Sequence, residues 1–463
     1  MVNKKIQNGN TDKQIERVYQ KICKEKAIEN YHQKKFYNRI FSPIVLIWCM
    51  IYQRISTDHT CDKVVEKMHE GAFNHIDKSP GKKKLSERFQ SNSTASYCKA
   101  RKRIPIEMLE EVMEKTVSYA QCLPVNTFSW LDRKVQLLDG STLRLRPYPE
   151  LVRHYGQHKT VKKYSYWVIM RIVCLFCLQS GIVTSVSEGP LKKSENKLAK
   201  NCLSVLSPGE ICIGDRGFGI FSMVQAVKNY HGEVLFRLSG LRARKLYREM
   251  LYPGADIPIV WYPSKKDKLF PDMSTNPVQG RLIYVRLEDA GKGSQDLYLF
   301  TTLLDKEKYT KERLIDLYGL RWHIELDLRH IKRTLDMQLL ESKTVDLVRK
   351  ELIAGMIAHN LIRLFMIMSA SQQNFSVLKL SFAKCRRRVK AFLFQCWNNP
   401  ILFSMELKKL LYNISKCKLP NPTRPRIEPR WVRPREKTFP EFWEPRPLAR
   451  NYYIYKRFLS TVF

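Results

Sequence analysis

Acidic residues are scarce in this chain. Asp and Glu total 44 against 81 Lys and Arg, a formal charge of +37 over 463 residues. A surplus of that size opposes compaction unless a polyanion neutralises it, and nucleic acid is the natural polyanion because each phosphate contacted releases a counterion. An uninterrupted apolar run long enough to cross a bilayer is missing too: Pro43–Tyr52 is too short, and 353–370 is broken by His359, Asn360 and Arg363. No apolar stretch follows the charged N-terminus, so no secretory leader is expected. The 12 cysteines have no framework spacing. Cys174 and Cys177 lie inside the apolar run Ile172–Leu178, without the second pair that a zinc site needs. Membrane insertion, a disulfide scaffold and a zinc ribbon are therefore not expected, and free thiols suit a reducing cytoplasm.

What is present supports a folded interior. The hydrophobic fraction is 44%, and the length suits two or three domains. Residues 1–125 read as a helical, DNA-binding region, polar and basic over 1–40. It contains the basic cluster Lys99–Arg103, in which Lys99, Arg101 and Arg103 are candidate phosphate contacts. From 126 to 370 the pattern reads strand, strand, strand, helix, strand, helix, strand, an α/β layer architecture. Lys134–Leu138 is expected to be a buried strand ending at Asp139. Tyr164–Leu178 and Gly181–Ser187 read as long strands, and Glu210–Gly214 as a short one ending at Asp215. Residues 240–300 break this rhythm with loops, prolines and further strands, an expected β-rich insertion. Residues 371–463 read as a basic, Pro-rich tail, with 20 Lys and Arg against 5 Asp and Glu from 376 onward.

A long helix is expected from 308 to about 337. At about 100° per residue its apolar positions, from Leu314 to Leu335, form one stripe. Tyr318, Arg321, Glu325 and Lys332 fall on a neighbouring stripe. Taken alone, Arg321 and Glu325 are an ordinary i,i+4 ion pair. Two upstream Asp residues change that reading: Asp139 follows Val-Gln-Leu-Leu and Asp215 follows Ile-Cys-Ile-Gly. Ends of neighbouring strands are where α/β sheets gather ligands. Three carboxylates amid Tyr, Arg and Lys suit phosphoryl transfer with Mg²⁺ or Mn²⁺, because hard oxygen ligands select such ions. Two ions about 3.5–4 Å apart can activate the attacking oxygen and stabilise the leaving one.

The segment Tyr318-x2-Arg321-x3-Glu325-x6-Lys332 resembles the Tyr-Arg-Glu-Lys signature of the bacterial IS-four transposase family. Asp139-Gly-Ser-Thr and Gly214-Asp215-Arg-Gly-Phe resemble the surroundings of that family's first and second catalytic Asp. The likeness covers about 91–370. It implies an RNase H-like core carrying a β insertion, with Asp139, Asp215 and Glu325 as ligands of two Mg²⁺ or Mn²⁺ ions. Tyr318, Arg321 and Lys332 would touch phosphates at the cleaved transposon end. Relatives hold a flipped base with a Trp of the insertion, and Trp261 is the Trp of 240–300. The implied activity is cut-and-paste transposition on double-stranded DNA, at inverted-repeat ends and in the target, by at least a homodimer. Two alternatives stay open on the residues alone: an RNase H-like nuclease without strand transfer, and a silent DNA-binding regulator.

Overall fold

The computed structural model describes residues 40–74, 76, 83–123, 130–159, 164–265, 267, 276–289, 293–395, 400–420, 441–442, 448 and 450–452. Helices α1 (Pro43–Ile55), α2 (Cys61–His69), α3 (Ala95–Arg103) and α4 (Ile106–Cys122) come first. Pro43 suits the first turn of α1, where its missing N–H costs nothing. Thr60 caps α2 by accepting from the Lys63 N–H at 3.2 Å.

Strand β1 (Val135–Leu145) and helix α5 (Pro149–Tyr155) follow. After them come β2 (Tyr164–Cys177), β3 (Val183–Pro190), α6 (Glu195–Cys202), β4 (Ile211–Gly214), α7 (Phe221–Asn229) and β5 (Glu233–Leu238). In space these strands lie in the order β3-β2-β1-β4-β5. Strand β2 runs antiparallel to both β3 and β1, while β4 and β5 run parallel to β1. That is an RNase H-like core, as the sequence led us to expect. Beyond it lie α8 (Gly240–Leu246), β6 (Asp256–Trp261), β7 (Val278–Asp289) and β8 (Gly293–Thr301). The insertion strands continue the same sheet, through antiparallel pairing of β8 with β5, β7 with β8 and β6 with β7.

The expected helix over 308–337 is in fact three pieces: α9 (Lys311–Gly319), α10 (Trp322–Arg329) and a π turn (His330–Thr334). The break falls after Gly319, a poor helix former. There the chain tightens, with the Leu320 and Arg321 N–H groups donating three residues back to Leu317 and Tyr318. The long helix α11 (Val345–Gln372) is capped by Thr344, which accepts from the Leu347 N–H at 3.3 Å. It is apolar and long enough to cross a membrane, yet 94% of its most apolar window is buried within the protein. Helices α12 (Phe382–Gln395) and α13 (Pro400–Ser415) pack on α11 and each other. The basic C-terminal region thus begins with packed helices; its Pro-rich part at 421–440 lies outside the described residues.

The sheet divides the interior in two. On one face Leu137, Leu143 and Leu145 join α1, α4 and α11 in a core that reaches Cys417. On the other, Leu138 packs with α6 and α7 through Leu198, Met223 and Val224. The N-terminal helices share the first core rather than standing apart from it. Arg54 of α1 and Glu351 of α11 form a buried ion pair at 3.2 Å.

Candidate active site

Asp139 lies inside β1 rather than at its end, since β1 continues to Leu145. The parallel pairing of β1 with β4, however, stops at Leu138–Gly214. Asp139 and Asp215 are the next residues on each strand, so the two carboxylates sit side by side where the ladder opens. Asp139 Oδ1 accepts from the Gly140 N–H at 2.8 Å, and Asp215 Oδ1 from the Gly217 N–H at 2.8 Å. The loop after Asp215 is pinned by buried Phe218. Gly219 is sterically required there, because a Cβ would lie 2.2 Å from the Arg237 carbonyl oxygen.

Arg321 joins the two halves of the site. Its Nη2 donates to Glu325 Oε1 at 2.9 Å, and its Nη1 lies 3.7 Å from Asp139 Oδ2. Tyr318, on the preceding helix, is buried beside it. Burial pushes its phenol pKa up, with the Arg321 and Arg237 charges opposing. The π turn swings Lys332 toward β1, where Nζ donates to Ser141 Oγ at 3.2 Å. Burial lowers the Lys332 pKa, and the Arg144 and Arg333 charges add to the shift. Tyr318, Arg321, Glu325 and Lys332 therefore converge on Asp139 and Asp215, although they occupy three separate helical pieces. Among the described residues no three acidic, His or Cys side chains close around a single point as a ready-made cation cage.

A fourth carboxylate stands beside this group, which sequence reading missed. Glu195 opens α6, and its Oε1 fills the space where Gly140 lacks a side chain, 1.6 Å from an idealised Cβ. Nothing local marks Glu195; its place comes from packing α6 over β2 and β3, which brings its first turn to Gly140 of β1. An exposed Trp322, 52% accessible, follows Arg321 at the rim. Such a flat apolar face suits stacking of a base.

Asp139 is strained electrostatically. Burial is the main cause that raises its pKa, to about 6, with the Asp215 and Glu195 charges adding and the Gly140 N–H and Arg321 opposing. The native state therefore binds more protons than the unfolded chain between about pH 4 and pH 6. Stability contributed by protonated Asp139 is present at low pH and lost as pH rises through that window. We predict that Asp139→Asn, in EDTA, is more stable than wild type at pH 7.5, by on the order of 2 kcal/mol. The gain should vanish below about pH 4, and thermal melts across pH check it. A variant no more stable at pH 7.5 would refute the strain.

Two expected DNA contacts are placed elsewhere. Trp261 is buried in β6, edge-on to Phe300 at 4.8 Å and packed near Phe221, so its indole is packed in the core rather than presented at the surface. Arg101 is buried as well, donating to Ser342 Oγ at 3.0 Å and to Cys61 Sγ at 3.4 Å. It ties α3 to the loop before α11. Lys99 and Arg103 of the same cluster remain exposed.

The chain matches the family described as "Transposase DDE domain" over residues 130–361, half its length. It belongs to the DDE transposase family. It is similar to "Transposase InsG for insertion sequence element IS4" of Escherichia coli (strain K12), 24% identical over 344 residues, 73% of each chain. It is also similar to "Putative transposase InsL for insertion sequence element IS186A" of the same organism, 33% identical over 91 residues, 19% of this chain and 23% of that one. The IS-four resemblance read from the Tyr-Arg-Glu-Lys spacing is thereby borne out. Among solved structures, the piggyBac transposase synaptic complex with hairpin DNA aligns at a TM-score of 0.41 and 10% identity, over 88% of this chain and 85% of that one. In this DDE transposase the matched range begins just before β1 and ends within α11, so it contains all three expected carboxylates.

Proposed function

We propose that this transposase cuts DNA at the ends of its own element and joins the freed 3′-hydroxyl to target DNA, with Asp139, Asp215 and Glu325 as the metal-holding carboxylates. The observation that carries this reading is the placement of Asp139 beside Asp215, each one residue past the last paired position of β1 and β4, with Arg321 bridging Asp139 to Glu325. The donor set fits hard divalent cations. Only oxygen ligands are offered, and the Asp139 carboxylate, half-neutralised at about pH 6, gains its charge back when a cation compensates Asp215 and Glu195. Two Mg²⁺ or Mn²⁺ ions held there would supply an activated water or 3′-hydroxyl and stabilise the leaving oxygen.

The protein's own groups do the rest. Arg321 now neutralises Asp139 and Glu325, and its fork is free to turn to a phosphate once cations compensate them. Lys332, held against Ser141, presents a fixed positive charge beside the reacting strand. The rigid strands and helices hold these groups in one geometry, which is how positioning lowers a phosphoryl-transfer barrier. Joining two ends at once requires two such sites, hence at least a dimer on DNA. Free thiols and a DNA substrate support action in the cytoplasm, beside the chromosome.

The test is a labelled duplex carrying the repeat that flanks the gene, incubated with the full chain in Mg²⁺ or EDTA. Nicking at the repeat boundary in Mg²⁺ alone, followed by joining to a supercoiled plasmid, is the expected result. Nicking without joining would make it a nuclease. Specific binding with no nicking in Mg²⁺ or Mn²⁺ would make it a regulator.

A further inference from the structure

Helix α12 carries five cations and no acidic residue in Phe382–Gln395. Phe382, Cys385, Val389 and Phe392 point inward and are buried, which fixes the helix in the core. Lys384, Arg387 and Arg388 point outward and are exposed. Among the described residues none of the five cations forms an ion pair. Arg386 and Lys390 are half-buried and anchored by neutral partners: Arg386 Nη1 donates to the Thr334 carbonyl at 2.7 Å, and Lys390 Nζ to Ser56 Oγ at 2.9 Å.

The Thr334 contact matters for location. Thr334 ends the π turn that aims Lys332 at Ser141, two residues past Asp139. Arg329 and Arg333, one helical turn apart on that segment, are also exposed. A row of uncompensated cations thus runs from the edge of the carboxylate group, over the π turn, onto the outer face of α12. Burial and the neighbouring cations together depress the proton affinity of Lys332, Arg386 and Lys390. Among the described residues the acids at its border include Glu325, one turn before Arg329 and paired with Arg321, and Asp58 and Asp336; none of them forms an ion pair with the row.

We propose that this row, Arg329, Arg333, Lys384, Arg387 and Arg388, is the bed on which the double helix lies on one side of the cleaved phosphate. The inference rests on the DNA-cutting reading above. A duplex suits the row because its phosphates form a regular line of charge, and Arg forks match phosphate oxygens. Continuity with Lys332 sets where the row begins, and the absence of acids on α12 keeps it open to a polyanion.

The test measures binding of the flanking-repeat duplex in EDTA by fluorescence anisotropy over a salt series. Lys384→Gln/Arg387→Gln/Arg388→Gln is compared with wild type and with Lys306→Gln/Lys308→Gln/Lys311→Gln, an equal charge change beside the β insertion. The α12 triple variant should flatten the plot of log K against log salt by about 2–3 and weaken binding roughly 10–100-fold at about 0.1 M salt. The comparison variant should keep the wild-type slope. Circular dichroism melts check that each variant is folded. A photo-crosslinker replacing Ala383 gives a second readout, with adducts expected on one side of the repeat boundary. Equal slopes for the two triple variants, or an α12 variant that loses RNA or acidic-peptide binding while duplex binding stands, would overturn the proposal. If wild type binds no duplex, the DNA-cutting reading fails first, and that result is distinct from an unchanged α12 variant.

Discussion

Glu325→Gln is expected to lower single-turnover cleavage of the repeat duplex by roughly 10³-fold or more, while duplex affinity in EDTA stays within a few-fold of wild type. The side chain keeps its size and can still accept from Arg321, 2.9 Å away, so folding and the surrounding packing are preserved. What is lost is one negative charge where the proposed cations would be held. Several kcal/mol of transition-state stabilisation ride on such a charge, and about 4 kcal/mol corresponds to that factor. Because the group is about one-third exposed, the variant costs little stability, so lost cleavage is not explained by unfolding. Cleavage within tenfold of wild type would remove Glu325 from the reacting group. A matched loss in Asp139→Asn and Asp215→Asn, with no further loss on combining them, would mark the three as one unit.

The second large effect lies one layer behind. Arg363 of α11 forms a buried ion pair with Asp327 of α10, two residues past Glu325. The Arg363 guanidinium also lies over the Phe382 ring, 5.4 Å from its centroid, and that ring stacks between His330 and His359 at 4.6 and 4.9 Å. Arg363→Met roughly keeps the volume and leaves buried Asp327 without its guanidinium, with only His330 Nδ1 beside it at 3.5 Å. Breaking a buried pair in this way costs about 3–5 kcal/mol. The expected readout is a markedly lower melting temperature, partly restored by adding Asp327→Asn, which removes the stranded charge. A single variant that melts within about 1 °C of wild type would refute the idea that this pair fastens the Glu325 helix to the core.

Much of this arrangement was written locally. Each Asp follows a short apolar run, and the Tyr318, Arg321, Glu325 and Lys332 spacing survives inspection by eye because chemistry fixes it. The breaks in the helix did not show. Gly319 alone interrupts the apolar stripe weakly, and the π turn has no residue signature of its own. The burial of two expected contacts was readable in the sequence. Along β6 the residues alternate, so Trp261 shares the inward face with Ile259, while Val260 and Tyr262 face out. Arg101 sits one helical turn past Tyr97 and beside Ala100 and Ile104, all of them buried, on the apolar side of α3. Glu195 is a different matter. It meets Gly140 only because α6 folds back over the sheet, a fact of tertiary packing that no window of sequence holds.

The β insertion carries a mechanical consequence. Its strands are bolted edge to edge onto β5, itself laddered to β4, the strand that delivers Asp215. Such a sheet behaves as a stiff cantilever, its described strands laddered without a break from β6 to Asp215. Whatever the outer end contacts is held at a fixed offset from Asp215. Any bending that brings a transposon end into line must then be done by the nucleic acid, whose own stiffness becomes part of what selects the substrate.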